Sequence, residues 1–242
     1  MFNNVLLFTK ALGLQDPWRV DKVEFDADRG RLDLYISRKR GSKHPCPECG
    51  VKCSVHDTVK RTWRHLNFFQ YRAYIHCDVP RVNCKVHGVK QVVVPWSRPG
   101  SGFTMLFEAF IIELAKAMPI NTLANLVGEY DTRIWRVIKH YVEEARKEED
   151  FSNVVNVGID ETSSRRGHNY VSVFVDLDES RVIYATEGKD ASAVDSFKED
   201  FEAHGEIPIK WRISAVTCRQ LSLREWKKTL LKLTLPLTSS ML

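Results

Sequence analysis

Five of the six cysteines in this 242-residue chain fall between positions 46 and 84, and their spacing restricts the fold more than any other feature. Cys46-Pro-Glu-Cys49-Gly50 and Cys84-Lys-Val-His87-Gly88 form two knuckles separated by 34 residues. Two residues between ligands let both side chains reach one tetrahedral Zn²⁺, and Pro47 and Gly50 suit the turn this needs. Cys46, Cys49, Cys84 and His87 are the first choice of ligands; Cys53, His56, His76 and Cys77 are further candidates, chiefly for the fourth position. A structural role is expected, because no acid or base stands at a useful spacing for catalysis and the segment is too small to bury a good core alone. The alternative is a set of buried thiols in a reducing compartment.

Around the cluster the chain alternates as strands do. Val20 to Phe25 and Leu32 to Ile36 flank Asp28-Arg29-Gly30, which predicts a hairpin; Phe68 to Ile75 and Val89 to Val94 read as further strands. Residues 37–100 carry 13 basic against 3 acidic side chains. Arg38, Lys39, Arg40, Lys60, Arg61, Arg64 and Arg72 interleave with Trp63, Phe68, Phe69 and Tyr71, a mixture that suits phosphates and stacking, so DNA is the expected partner. The formal net charge of +5 hides this segregation. Residues 1–100 balance at +9, residues 101–205 at −9 and residues 206–242 at +5. No apolar run approaches the ~18 residues of a membrane span. The first residues carry no basic flank or cleavage site of a secretion signal, so a cytoplasmic, nucleoid-associated protein is expected.

Pro95 to Gly102 reads as a punctuated linker. Leu106, Phe107, Phe110, Ile111, Leu114 and Ala117 then recur at helical spacing, and Pro119 marks a new helix start. Ala124, four residues before Gly128, lets two helices cross closely as in a helix-turn-helix. Asp131 is the expected N-cap of the last helix, whose apolar stripe is Ile134, Ile138, Tyr141, Val142 and Ala145. Arg133, Arg136, Lys139 and His140 lie opposite, placed to enter a major groove. Glu129 stands where such motifs bury an apolar residue, and Tyr130 is expected to fill that role. A plain three-helix packing unit is the competing reading.

The short apolar run Val154 to Ile159 ends at Asp160-Glu161. Tyr170 to Val175 and Arg181 to Ala185 follow as strands, and Asp190 to Glu202 has helical spacing. Ribonuclease-H-like nucleases and transposases place their first metal-binding Asp at the end of such a first strand. A solvated turn is the simpler alternative.

Taken together, these segments resemble the ISL-three family of insertion-sequence transposases. The matching stretches include Cys46 to Gly50, Arg61 to Leu66, Val79 to Gly88, Asp131 to Arg136, Gly158 to Thr162 and Tyr170 to Leu177, in order, over residues 1–205. The resemblance implies an α+β multidomain chain: a small zinc-stapled, β-rich DNA-binding domain (1–98), a helix-turn-helix bundle (103–149) and the start of a ribonuclease-H-like catalytic domain (153–205). In such enzymes three carboxylates hold two Mg²⁺ that activate water, then a 3′-hydroxyl, for attack on phosphodiesters. Asp160 matches the first carboxylate, with Glu161 supporting from outside the ligand set. The implied partners are the element's terminal inverted repeats, a second copy of the chain or an intact transposase.

Residues 206–242 change character, holding no Asp. Codons for Gly205 to Ser222, read one nucleotide earlier, can encode a stretch containing Cys-Asp-Met-Ser-Pro-Ala-Phe, which looks like the family's second-Asp strand. Leu235 to Leu242 shifts likewise to Thr-Phe-Asp-Lys-Phe-His-Val. These matches predict an out-of-frame tail on a truncated copy that lacks the second Asp and the Glu. Competing expectations are a zinc-dependent DNA-binding module that inhibits transposition, and an unstable remnant.

Overall fold

A computed structural model describes residues 4–165, 169–205 and 212–215 of the chain. The described residues divide into two compact units, with the boundary between Tyr141 and Val142.

In the first unit, α1 (Asn4–Ala11) leads into a hairpin of β1 (Trp18–Asp26) and β2 (Arg31–Arg38). The turn closes where Asp26 Oδ1 accepts from the Arg29 amide at 3.0 Å. The Val20 amide donates to Thr9 Oγ1 at 3.1 Å and ties α1 to the sheet. Two short strands, β3 (His44–Pro45) and β4 (Lys52–Cys53), make a small antiparallel ribbon. Three longer elements follow: β5 (Val55–Arg64), β6 (Arg72–Cys84) and β7 (Gly88–Gln91). The sheet order is β1-β2-β6-β5, with β7 also on β6. β2 and β6 are parallel and the other pairs antiparallel. Inward positions alternate as strand geometry requires, burying Leu32, Leu34 and Ile36 on β2 and Ala73, Ile75, Cys77 and Val79 on β6.

Two expectations change here. Phe68 to Tyr71 is not strand but a tight turn, closed by reciprocal backbone bonds of 2.9 and 3.0 Å, with Phe69 at φ 53°. The hydrophobicity of Phe68 and Tyr71 serves an aromatic cluster with Phe8 and Phe25 instead. β5, rich in polar residues, is a strand that apolar alternation did not reveal; it is an edge strand and needs only one packed side.

Helices α2 (Met105–Ala115), α3 (Ile120–Val127) and α4 (Asp131–Lys147) bury Phe103, Phe107, Ile111, Leu123, Ala124, Val127, Ile134 and Val137. Thr104 caps α2 by accepting from the Phe107 amide. Pro119 is the residue before α3, and Gly128 ends α3 at φ 67°, a left-handed cap that suits glycine. A Cβ at Gly128 would also overlap the Arg72 guanidinium, so the turn admits a strand-borne arginine. The described residues of the zinc-binding and helix-turn-helix segments fall in one compact unit, and the unit boundary falls within α4.

The second unit holds β8 (Asn156–Arg165), β9 (Asn169–Asp176), β10 (Arg181–Glu187), α5 (Ala191–Ala203) and β11 (Arg212–Ala215). The sheet order is β10-β9-β8-β11, antiparallel except that β11 runs parallel to β8. One face packs on α5 through Val157, Ile159, Phe174, Ile183, Phe197 and Phe201, with Phe174 and Phe197 stacked at 4.1 Å. Asp160 lies in mid-strand rather than at the strand's end, because β8 continues past it to Arg165. The tail read as out of frame, 206–242, lies outside the described residues except for β11.

Among the described residues, no helix is long and apolar enough to cross a membrane.

Candidate metal centre and nucleic-acid interface

The two knuckles are brought together by hairpins that are local in sequence. The first sits in the β3–β4 ribbon, where the Gly50 amide donates to Cys46 O and the Cys46 amide to Val51 O, both at 2.9 Å. The second is the β6–β7 turn, where Cys84 pairs with Gly88. The ligand atoms of Cys46, Cys49, Cys84 and His87 all lie within 4.8 Å of one another. Cys49 Sγ is 3.7 Å from Cys84 Sγ, and His87 Nδ1 is 3.7 Å from both Cys46 Sγ and Cys84 Sγ. Tetrahedral Zn²⁺ with bonds of roughly 2.0–2.3 Å has ligand–ligand edges of about 3.6–3.8 Å, so this donor set fits zinc. The amides of His87 and Val86 point at Cys84 and hold its thiol down to about 6; those of Glu48 and Cys49 lower Cys46 in the same way. Such amide cradles favour the thiolates a metal needs. His87 Nε2 lies 3.5 Å from Glu48, whose other oxygen meets Lys90 Nζ at 2.6 Å. A carboxylate behind the ring leaves Nδ1 to face the cluster.

The further candidates fall outside this set. Cys77 is in the sheet core, and burial pushes its thiol up to about 12. His76 is held between Asp33 Oδ1 at 2.5 Å and Thr62 Oγ1 at 2.9 Å. His56 is exposed on β5, and Cys53 donates its thiol to Val51 O at 3.3 Å.

The expected DNA contacts divide. Lys39 and Arg40 are exposed in the turn after β2, Arg38 is half-buried at its end, and Arg61 is exposed on β5. Arg136 and Lys139 are exposed on α4. Arg64 is a correction: it is 2% exposed and faces the protein. Its Nη1 donates to Ala73 O at 3.1 Å and to His65 O, its Nη2 to Asn67 Oδ1, and its Nε lies 3.8 Å from Glu129 Oε1. Arg133 is half-exposed, bonds Glu129 Oε2 and lies 4.1 Å from the Phe103 ring centroid. Its reach is thus committed to the turn rather than pointed outward.

This arrangement explains the acidic residue in the turn. Glu129 is a buried carboxylate held by two arginines, so no apolar substitute is needed, and Tyr130 is 78% exposed instead of filling that place. A second buried carboxylate, Glu108, accepts from Arg98 Nε at 3.0 Å, Ser101 Oγ at 2.7 Å and Tyr141 OH at 3.0 Å. Val142 and Ala145, expected on the apolar stripe of α4, are exposed; the stripe is Ile134, Val137, Ile138 and Tyr141. The exposed stripe is Thr132, Trp135, Arg136 and Lys139, at i, i+3, i+4 and i+7. Trp135 belongs to neither face named from the sequence; counting helical turns from Thr132 places it on the exposed stripe.

Asp160 is exposed on β8, while Glu161 points to the opposite face and burial raises its carboxyl above the usual range. Among the described residues, the only cluster of three or more potential ligands drawn from His, Cys, Asp and Glu is the Cys/His set.

Three family models match the chain. The zinc-finger of transposase IS204/IS1001/IS1096/IS1165 covers residues 42–87, the helix-turn-helix domain of transposase family ISL3 covers 92–142, and a transposase domain of the same family covers 157–218. The last match runs past 205, where the sequence reading ended its resemblance. The transposase for insertion sequence element IS1557 of Mycobacterium tuberculosis is 30% identical over 215 residues, spanning 84% of this chain and 46% of its own length. The transposase for insertion sequence element IS1001 of Bordetella parapertussis is 25% identical over 204 residues, spanning 83% and 50%. The chain thus spans about half the length of the curated relatives it matches. No solved structure matches. A zinc ribbon with its four ligands in tetrahedral reach, a helix-turn-helix and a transposase domain, in this order, make the chain a member of the ISL3 family of transposases.

Proposed function

We propose that this chain binds duplex DNA at the terminal inverted repeats of its own element, as the recognition part of a transposase acting on the chromosome in the cytoplasm. The observation that carries the reading is the exposed stripe of α4, which holds Arg136 and Lys139 on the second helix of the turn. Zn²⁺ held by Cys46, Cys49, Cys84 and His87 staples the β3–β4 ribbon to β6–β7, and Lys39, Arg40 and Arg61 add phosphate contacts from the same unit. The strand order of the second unit, a three-strand meander, a helix and a strand parallel to the first, supports a ribonuclease-H-like start with Asp160 as its first carboxylate.

Strand cleavage and transfer by Mg²⁺ need three carboxylates, of which the family resemblance assigns Asp160 alone in this chain, so the chain by itself is expected to bind without cutting. That favours a second reading, a binding module that competes with an intact transposase or pairs with it. Gel shifts with repeat duplexes, at varied salt and with chelator, test the proposal. Zinc-dependent binding is expected, with log K falling linearly in log salt and a slope smaller by about 1 in Arg136→Ala or Lys139→Ala. Binding that ignores both zinc and salt refutes it. Mg²⁺-dependent nicking by the purified chain refutes the absence of cutting.

A further inference from the structure

Three large apolar side chains in and beside the turn between α3 and α4 are left open. Leu126 near the end of α3 is 64% exposed, Tyr130 in the turn 78%, and Trp135 in the second turn of α4 55%. An indole left this open on a helix is unusual, since tryptophan is on average a well-buried side chain. It shares its stripe with Thr132, Arg136 and Lys139, and Asp131 Oδ1 at the head of the helix is engaged by the Thr132 amide at 2.7 Å.

In a helix-turn-helix the first turns of the second helix meet base edges, while cations on the same face meet phosphates or guanine. The indole carries one N–H donor and no acceptor, so it cannot form the paired bonds that identify guanine or adenine. The major groove displays a single apolar group, the C5-methyl of thymine. We infer that Trp135 is a specificity-determining residue that selects thymine by packing its ring on the C5-methyl. The inference rests on the DNA-binding function proposed above.

The test selects duplexes from two random libraries with the zinc-loaded full chain, one built with thymidine and one with deoxyuridine, which lacks only that methyl. The wild type is expected to enrich thymine at one or more fixed positions and to lose that preference in the deoxyuridine library. Measured on the selected duplex, replacing thymine by uracil should weaken binding about fourfold per methyl, the transfer value of one buried carbon. Trp135→Ala should bind both duplexes equally, whereas Arg136→Ala should bind more weakly yet keep the thymine-to-uracil ratio. Equal wild-type affinity for the two duplexes overturns the inference without needing any variant. So does a ratio that survives in Trp135→Ala. Sequence-selective binding with no thymine dependence leaves the DNA-binding proposal standing while removing this one. No enrichment from either library removes both.

Discussion

Replacing Arg64 by alanine is expected to destabilise the first unit by about 3–5 kcal/mol, the usual consequence of deleting one partner of a buried ion pair. The guanidinium is 2% exposed and lies 5.0 Å from the Phe107 ring centroid and 5.4 Å from that of Tyr74. Burial lowers its proton affinity, so the surrounding acceptors must hold the charge. Alanine would leave the carbonyls of Ala73 and His65 without this donor and Glu129 with Arg133 as its remaining cation. Each acceptor left unsatisfied costs roughly 1–3 kcal/mol, and the retained Arg133 pair limits the total. Urea denaturation of the zinc-loaded chain, followed by tryptophan fluorescence, measures the loss. A double-mutant cycle with Glu129→Gln isolates the pair, with an expected coupling of about 1–2 kcal/mol. A loss under about 1 kcal/mol with no coupling would refute the reasoning. If DNA affinity fell in that same variant, Arg64 would return to the phosphate contacts where sequence reading put it.

His65 predicts an acid sensitivity. Its Nδ1 and Thr104 Oγ1 are 2.9 Å apart, and burial, with Arg64 beside it, lowers the ring from 6.5 to about 4. A histidine depressed in the folded state contributes fully above pH 6.5, and the contribution is lost as pH falls toward 4, because the unfolded chain takes the proton first. The loss amounts to roughly 3 kcal/mol over that window, and His65→Gln should show a shallower stability–pH slope there; parallel slopes would contradict it. Zinc content offers a separate check. Cys49→Ser and Cys84→Ser should lose the single bound zinc and with it the ordered ribbon, whereas Cys53→Ser and Cys77→Ser should keep it. Retention in the first pair, or loss in the second, measured by atomic absorption, would reassign the ligands.

Much of this architecture is written in short-range pattern. The knuckles are legible because two residues between ligands is a local geometric condition, and Cys46, Cys49, Cys84 and His87 converge as that condition implies. The helices of the turn are legible from the period of Leu123, Val127, Ile134 and Val137 and from the glycine between them. The three strands after residue 153 and the helix at Ala191 follow from β-branched runs and apolar spacing in the same way. β5 was not legible, because an edge strand with Lys60, Arg61 and Thr62 facing out carries little alternation to detect.

What the sequence by itself determined is therefore the inventory: the candidate metal ligands, the helix-turn-helix, the strand bearing Asp160 and the sign of charge in each segment. Tertiary structure alone decided what each polar side chain is for. Arg64, Arg133 and Arg136 are identical letters in one basic pattern, yet the first is enclosed, the second is bound to Glu129 and the third is exposed. Glu129 looked like a defect in the motif until the fold brought an arginine from β5 beside it. The reason is physical. A guanidinium's role depends on which carbonyls, carboxylates and rings lie within a few ångströms, and those neighbours come from residues far away along the chain, where no local periodicity records them.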